Sequence, residues 1–474
     1  MAFSAKTAAV LGLGKSGRSA AALLQTRGTR VTAFDEKPGE APAGVECRFG
    51  PLPSEFWKGF DVIVVSPGIP LDRAELKAAR AAGAHLIGEI ELAFLCLPEG
   101  TGPILGITGT NGKSTTTALL GELWTQTGKP VFVGGNLGRP FTEACAQKYA
   151  MHVVELSSFQ LEGIETAGFL GAAILNLTPD HLDRYASHDA YGAAKARIFK
   201  NSPKQPPFIP SAPSTPSHPP FTPSGVEGRA SSVSRGPFAV VNADDFETVR
   251  LSRAAKVPTY AFTLDASRTN AGFSGLAVGD KTGFQLLFGE LKAFEVRNRA
   301  LRGDHNLQNA MAAAIMGRLS GLDDATIQRG LDAFPGLPHR LEFVRELDGV
   351  EWINDSKATN VDSSLVAMKA LEGKVWLIAG GKGKGAPYAP LVEAARGKLV
   401  GVLTIGADAP AIAEAFRSSA AVHDCGTLEA AVTRARSFAR KGETVLLSPA
   451  CASYDQFNNF EHRGDTFKAL VKAL

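Results

Sequence analysis

The sequence predicts an α/β protein of three successive units, each built around a mainly parallel sheet. Three observations carry this. Short apolar runs of strand length are separated by helix-period stretches of about 10–15 residues, the spacing of βαβ units. Many of these runs end in glycine-rich or polar turns, where parallel sheets bind their ligands. The length of 474 residues holds about two to four domains of ordinary size.

Taken in order, residues 7–11 are an apolar run closed by the turn Gly12-Leu-Gly-Lys-Ser-Gly17. An alanine-rich helical stretch follows to about Arg27, then strands at 31–34 and 61–66, the latter ended by Pro67 and Gly68. These predict a first domain over residues 1–97. A second, over 98–337, opens near Pro103 with a strand at 104–108, a glycine loop and a helix from Lys113, and takes further strands from 153–156 and 172–177. A third, over 338–474, alternates strands at 349–353, 375–379, 401–405 and 444–447 with helices. The boundaries fall in the turns at 97–102 and 334–339, and no internal repeat stands out. Residues 201–237 interrupt the second domain. They hold ten of the 28 prolines, mixed with serine and without apolar periodicity. Such a composition cannot bury enough surface to offset chain ordering, which predicts a flexible surface insertion, with a PxxP docking segment as the alternative.

Composition narrows the function. Fifty Lys and Arg against 47 Asp and Glu give a net charge of +3, which argues against a general nucleic-acid binder. The five cysteines are scattered and form no CxxC pair, so neither a disulfide framework nor a zinc site is expected. No cleavable leader and no apolar run near the ~18 residues of a membrane span are read, which predicts a cytoplasmic protein without membrane partners.

The strongest motif is Gly106-Ile-Thr-Gly-Thr-Asn-Gly-Lys-Ser-Thr115, set between a strand and a helix. Glycines there let successive N–H groups turn toward phosphate oxygens, and the helix N-terminus adds its positive end. Lys113 would reach the β- and γ-phosphates and Ser114 would bind Mg²⁺. The usual first glycine would fall at Ile107, and Gly106 stands one residue early. The Gly12–Gly17 turn, with Asp35 about twenty residues on, fits a dinucleotide fingerprint, a different nucleotide site or a tight helix–strand contact. Glu155 ends a strand at the ligand-binding rim, where with Ser114 it could hold Mg²⁺. Asp180, His181, Asp183 and Arg184 crowd the segment after the next strand. Lys195, on a helix, reads by itself as a surface lysine. In the third domain, 354–360, 379–385 and 447–453 follow strands and would form one rim suited to a small, doubly anionic substrate. Cys451 lies there without an evident base.

These motifs resemble the Mur ligase family, in order and over nearly the whole chain. They include the 106–115 loop, Gly135-Asn-Leu-Gly-Arg-Pro140, 155–161, 176–185, 191–199, 303–309, 339–342, 354–360 and 447–467. Asp355-Ser-Lys-Ala-Thr-Asn360 and Ser448-Pro-Ala-Cys-Ala-Ser453 look like the branch that adds D-glutamate. The resemblance implies a UDP-binding first domain, a central ATPase domain and a Rossmann-like acceptor domain. It implies ATP and two Mg²⁺ ions as cofactors, UDP-N-acetylmuramoyl-L-alanine and D-glutamate as substrates, an acyl-phosphate intermediate and a monomer. Lys113, Glu155, His181 and Lys195 would be catalytic; Ser114, Glu155, His181 and a carbamylated Lys195 would serve the metals. Gly109, Thr110, Asn111, Gly112, Lys113, Ser114, Thr115, Asn306, Asn309, Arg340 and Asp355 would bind ATP. Ser16, Asp35 and Lys37 would hold UDP, while Asn136 and Ser157 would meet the rest of the donor. Lys357, Thr359, Lys384, Ser453 and Phe460 would embrace D-glutamate. Rival readings are another ligase such as a folylpolyglutamate synthetase, a nicotinamide-dependent oxidoreductase, and a non-catalytic nucleotide-binding regulator.

Overall fold

The structure is a computed structural model that describes residues 3–39, 42–180, 184–201, 236–270, 272–280 and 282–474. Nearly all of the proline-rich stretch, as well as His181 and Asp183, lies outside the described residues. The chain forms two compact units, one of residues 1–296 and 307–333, the other of 297–306 and 334–474.

The first unit carries two sheets. In the smaller, β1 (Thr7–Leu11), β2 (Arg30–Asp35), β3 (Glu46–Phe49), β4 (Val62–Val65) and β5 (Leu86–Gly88) run in the order β3-β2-β1-β4-β5. All pairings are parallel. The order reverses between β1 and β4, which opens a crevice beyond the carboxyl end of β1, where Gly12 lies. Val10 and Leu11 point to opposite faces and each enters a separate apolar cluster, so the strand is buried on both sides.

The larger sheet comprises β6 (Ile104–Thr108), β7 (Val131–Gly135), β8 (Met151–Glu155), β9 (Gly171–Ile174), β10 (Phe238–Asn242), β11 (Thr259–Thr263), β12 (Gly275–Gly279), β13 (Gly283–Leu286) and β14 (Lys292–Glu295). Its order is β14-β13-β12-β11-β10-β9-β6-β8-β7, parallel as far as β12 and antiparallel through β13 and β14. β6 lies between β8 and β9, so the phosphate-loop turn emerges at the centre of a parallel array. The two sheets are joined tightly. Gly88 donates its N–H to Gly163 O at 2.9 Å, and both carboxylate oxygens of buried Glu91 accept backbone N–H groups from Glu165, Thr166 and Ala167.

The second unit holds β15 (Glu342–Leu347), β16 (Val350–Asn354), β17 (Lys374–Gly380), β18 (Leu399–Ile405), β19 (Ala421–Gly426) and β20 (Glu443–Leu447) in the order β15-β16-β20-β17-β18-β19. Only β15 is antiparallel to its neighbour. Because β16, β20 and β17 are adjacent and parallel, their three following turns meet at one edge, as the sequence predicted.

Candidate active site

The phosphate-loop turn leaves β6 and enters the helix Lys113–Thr125 through Gly112, whose φ of +82° is left-handed. Gly112 also lies against Asn309: a Cβ there would stand 2.4 Å from Asn309 Oδ1. That same oxygen accepts from Thr116 Oγ1 at 3.1 Å, so Asn309 braces the first helical turn from below. Gly106, the displaced glycine of the motif, sits inside β6, and a Cβ would meet the Phe169 ring at 2.8 Å. It is small for packing and takes no part in the loop.

Outside the helix the loop is fixed by the 176–178 segment. Thr110 N and Asn111 N donate to Asn176 O and Oδ1 at 3.0 and 2.7 Å, and Thr178 N donates to Thr110 Oγ1 at 3.1 Å. Asp245 in turn accepts Leu177 N at 2.7 Å. Asn176 and Asp245 were not singled out as individual residues; a polar residue just past each of two neighbouring parallel strands is the signal that marks them.

Lys113 Nζ donates to Gly109 O at 2.9 Å and Thr110 O at 2.7 Å. Lys195 Nζ donates to the same Gly109 O at 3.0 Å and lies 4.5 Å from the centre of the Tyr191 ring. Lys195 is thus no surface residue: it is 1% exposed, on the face of its helix that carries Tyr191 and Ala194. Burial and the Lys113 charge push its amine down to about 7, while Asp180 and Glu155 pull the other way.

Glu155 ends β8 and is equally buried. Oε1 accepts from Asn136 Nδ2 at 2.7 Å, and Oε2 is buried with no hydrogen-bond partner among the described residues. A buried carboxylate oxygen left open beside a phosphate loop suits a hard cation, and Ser114, in the first helical turn, supplies the hydroxyl such a site uses. Among the described residues no cluster of three His, Cys, Asp or Glu forms a metal site, and His181 lies outside them. Ser157 caps the next helix in a capping box with Gln160, which occupies its hydroxyl.

At the smaller sheet, Gly12 has φ of +85°, and a Cβ on Gly17 would fall 1.8 Å from Gly12 O. The glycines therefore let the helix Lys15–Thr26 pack directly on the β1 turn. Ser16 is in its first turn. Asp35 accepts Leu13 N at 2.6 Å and Lys37 N at 3.0 Å, and these N–H groups hold its carboxyl below the usual range.

In the second unit, Asp355 N donates to Leu447 O at 2.8 Å, Gly380 N to Pro449 O at 2.9 Å, and Lys382 pairs with Ala452. Asp355 is buried: Oδ2 accepts Ser448 Oγ at 2.7 Å and Oδ1 accepts Leu341 N at 3.2 Å. Desolvation pushes its carboxyl up to about 7. His339 and Leu341 flank Arg340 with φ of +62° and +44°, strained for residues with a Cβ. Lys357 N donates to His339 O at 3.0 Å, which ties this turn to the 354–360 segment. Ser453 is buried, Lys357, Thr359 and Phe460 are half-buried and Lys384 is exposed, all on these turns or the helix beginning at Phe460. Asn306 lines a small cavity with Arg299, Arg302, Leu341, Phe343 and Leu371. Cys451 is buried and bonded to Tyr388 OH at 3.1 Å, and burial pushes its thiol up, the reverse of an activated nucleophile.

The residue missed here is Arg463. It is 1% exposed, and its guanidinium donates to Ser356 Oγ at 3.0 Å, Ser356 O at 2.9 Å, Cys451 O at 3.1 Å and Gly380 O at 3.4 Å. One side chain thus clasps all three turns. The signal was present, since Arg463 stands in the apolar register of Gly464, Phe467 and Val471.

Comparison with known proteins agrees with this layout. Family models match residues 6–88 (Mur ligase MurD-like, N-terminal domain), 107–212 (Mur ligase middle domain) and 339–451 (Mur ligase, glutamate ligase domain). A UDP-N-acetylmuramoylalanine--D-glutamate ligase of Myxococcus xanthus (strain DK1622) is 53% identical over 488 residues, covering 100% of both chains. One of the same name from Anaeromyxobacter dehalogenans (strain 2CP-C) is 45% identical over 98% of this chain and 96% of its own. Among solved structures, the UDP-N-acetylmuramate-alanine ligase of Thermotoga maritima superposes with a TM-score of 0.56 at 17% identity, covering 99% of this chain and 100% of its own. The MurF ligase of Thermotoga maritima in complex with ADP gives 0.56 at 16% identity, covering 99% and 95%. At these identities the structures speak to the fold.

Proposed function

The chain belongs to the Mur ligase family, and on that footing we propose that it is an ATP-dependent ligase joining D-glutamate to UDP-N-acetylmuramoyl-L-alanine. The observation that carries the ATP half is the loop at Gly109–Thr115, braced by Asn176 and Asn309, with two lysines and an open carboxylate oxygen around it. The printed names of the full-length relatives supply the substrates.

The alanyl carboxylate attacks the γ-phosphorus of ATP, ADP departs, and an acyl phosphate results. The amine of D-glutamate then attacks the acyl carbon, phosphate leaves and the amine proton is released, giving an amide. Negative charge grows on the transferred phosphoryl group and later on the acyl oxygen. Lys113, at the start of its helix, would meet the first of these. Ser114, Glu155, His181 and a carbamylated Lys195 would hold two Mg²⁺ ions, which when bound neutralise phosphate charge. Lys195 suits carbamylation chemically, because an amine lowered to about 7 is substantially neutral and able to add to CO₂. Asn136, which holds Glu155, would meet the donor's muramoyl-alanine part, and the β1 turn with Ser16, Asp35 and Lys37 would take UDP. Asn306, Asn309, Arg340 and Asp355 serve the nucleotide, while Lys357, Thr359, Lys384, Ser453, Phe460 and the Arg463-clasped turns receive D-glutamate. We assign the reaction to the cytoplasm and to a monomer.

The test is phosphate release from ATP and Mg²⁺ with the UDP substrate plus D-glutamate, L-glutamate or neither. Release requiring both the UDP substrate and the D-isomer, and lost in Lys113→Ala, supports the reading. Release with another acceptor only would leave ATP chemistry standing and overturn the acceptor assignment.

A further inference from the structure

A buried polar cluster away from the phosphate loop connects the helix Lys15–Thr26 to the segment that holds Glu155. Glu89 begins the helix Glu89–Cys96 directly after β5 and is 1% exposed. Its Oε1 accepts Thr142 N at 2.6 Å and Thr142 Oγ1 at 2.8 Å, while its Oε2 is buried and has no hydrogen-bond partner among the described residues. Thr142 Oγ1 also lies 2.7 Å from Ser19 Oγ. Ser19 follows Ser16 by three residues, so the two occupy one side of the helix a turn apart.

Thr142 lies in the 3-10 helix Phe141–Ala146, which is fixed to the large sheet by Phe141 packing on Phe132 of β7, ring centres 5.6 Å apart. The turn between that sheet and this helix is closed by Gly135 N donating to Arg139 O at 2.7 Å. It presents Asn136 to Glu155. The cluster therefore stands where the helix beside the β1 turn meets the segment that orients the metal-side carboxylate. None of the chemistry assigned above uses an acid at Glu89. Because Oε2 has no hydrogen-bond partner among the described residues, a buried ionised carboxylate would leave its charge half-compensated, whereas a neutral carboxyl costs far less. The hydrogen bonds to Thr142 need only an acceptor, which a neutral carboxyl still provides.

We propose that Glu89, Thr142 and Ser19 are positioning residues for the donor nucleotide, Glu89 serving as an uncharged acceptor that seats Thr142 and, through Ser19, the helix carrying Ser16. This rests on the reading that the Gly12–Gly17 turn holds the UDP part of the donor.

The experiment is steady-state kinetics of the full chain at about pH 6, with each of the three substrates varied in turn, alongside thermal unfolding. Glu89→Ala is expected to raise KM for the UDP donor about tenfold, the equivalent of one lost net hydrogen bond. Its kcat and its KM for ATP and D-glutamate should stay within about twofold of wild type. Thr142→Val, which keeps shape and the backbone N–H, should move in the same direction and guards against a Glu89→Ala chain that does not fold. Glu89→Gln, which keeps an acceptor and no charge, should restore the donor KM. Donor KM unchanged in both Glu89→Ala and Thr142→Val, with only the melting temperature lowered, overturns the proposal. So does Glu89→Gln as impaired as Glu89→Ala, which would mean that a charge is required. Failure of the underlying reading looks different, because wild type itself would then not use the UDP donor.

Discussion

Lys195 shows what a single residue's surroundings decide. By sequence it reads as a surface lysine on a helix; in the fold it is buried against Tyr191 and shares Gly109 O with Lys113. An amine at about 7 is about half neutral at neutral pH, against roughly three in ten thousand at 10.5. Carbamylation should therefore occur at Lys195 in preference to the exposed lysines. In ¹³C-bicarbonate the wild type is expected to show a protein-bound carbamate signal that Lys195→Arg lacks. Lys195→Ala should lose activity by at least about a hundredfold, since even groups that only orient metal ligands cost about 10–100-fold. A signal that persists in Lys195→Arg would remove the carbamate from this position. Arg463 poses the opposite case, a cation whose work is structural. Arg463→Ala leaves the Ser356, Gly380 and Cys451 carbonyls without their buried donor. Unfolding in denaturant should show a loss of about 3 kcal/mol or more. Trp352 and Trp376 of the second unit's sheet report it by fluorescence once Trp57→Phe and Trp124→Phe remove the signal of the first unit. Arg463→Lys keeps the charge but not the planar fork, so it should recover only part of that loss.

Elements were legible where two signals coincided. Residues 7–11 and 104–108 match β1 and β6 to the residue, because an apolar run and a glycine turn mark both ends of the argument. The helix from Lys113 was equally plain. The antiparallel β12–β14 arm was missed: its strands hold few apolar residues, interrupted by glycine and charge, which establish neither a buried run nor a period of two. β3, with mostly exposed side chains, gave no apolar run at all. The site was legible as motifs and less so as contacts. Sequence placed Asn309 with the nucleotide, but only the fold shows it wedged under Gly112, where no Cβ fits. Gly112→Ala thus forces a left-handed alanine, at about 1–2 kcal/mol, and a collision with the Asn309 side chain. The expected result is a KM for ATP raised more than about tenfold with the D-glutamate KM little changed, the summed cost being above 1.4 kcal/mol. Equal effects on both substrates would mean that the damage spreads beyond the loop.

Across the whole molecule, two buried carboxyls set a shared pH dependence. Glu89 in the first unit and Asp355 in the second are each raised to about 7, from ordinary values of 4.5 and 3.8, with desolvation the leading cause. Well below 3.8, the lower of these ordinary values, both the folded and unfolded chains hold these protons, and the stability they contribute is fully present. As pH rises toward 7 the unfolded chain releases them while the folded chain keeps them. Stability from these two groups therefore falls through that window and levels off above it. Asp35 and Glu351 are lowered by their hydrogen bonds and act in the opposite sense, losing stability on acidification. Total stability mixes both trends, so the informative quantity is a difference. Glu89→Gln removes one titrating group and keeps its acceptor, and its stability relative to wild type should climb between pH 5 and pH 8. The climb is at most about 3 kcal/mol, the free energy of a shift from 4.5 to about 7. Because the substitution lies in the first unit, fluorescence read in a Trp57→Phe, Trp124→Phe background, which leaves only Trp352 and Trp376 of the second unit, should report an unfolding transition that moves less with Glu89→Gln than the far-ultraviolet signal of the whole chain. A difference that stays flat from pH 5 to 8 would mean that Glu89 is ionised throughout, and the neutral acceptor at the donor helix would have to be abandoned with it.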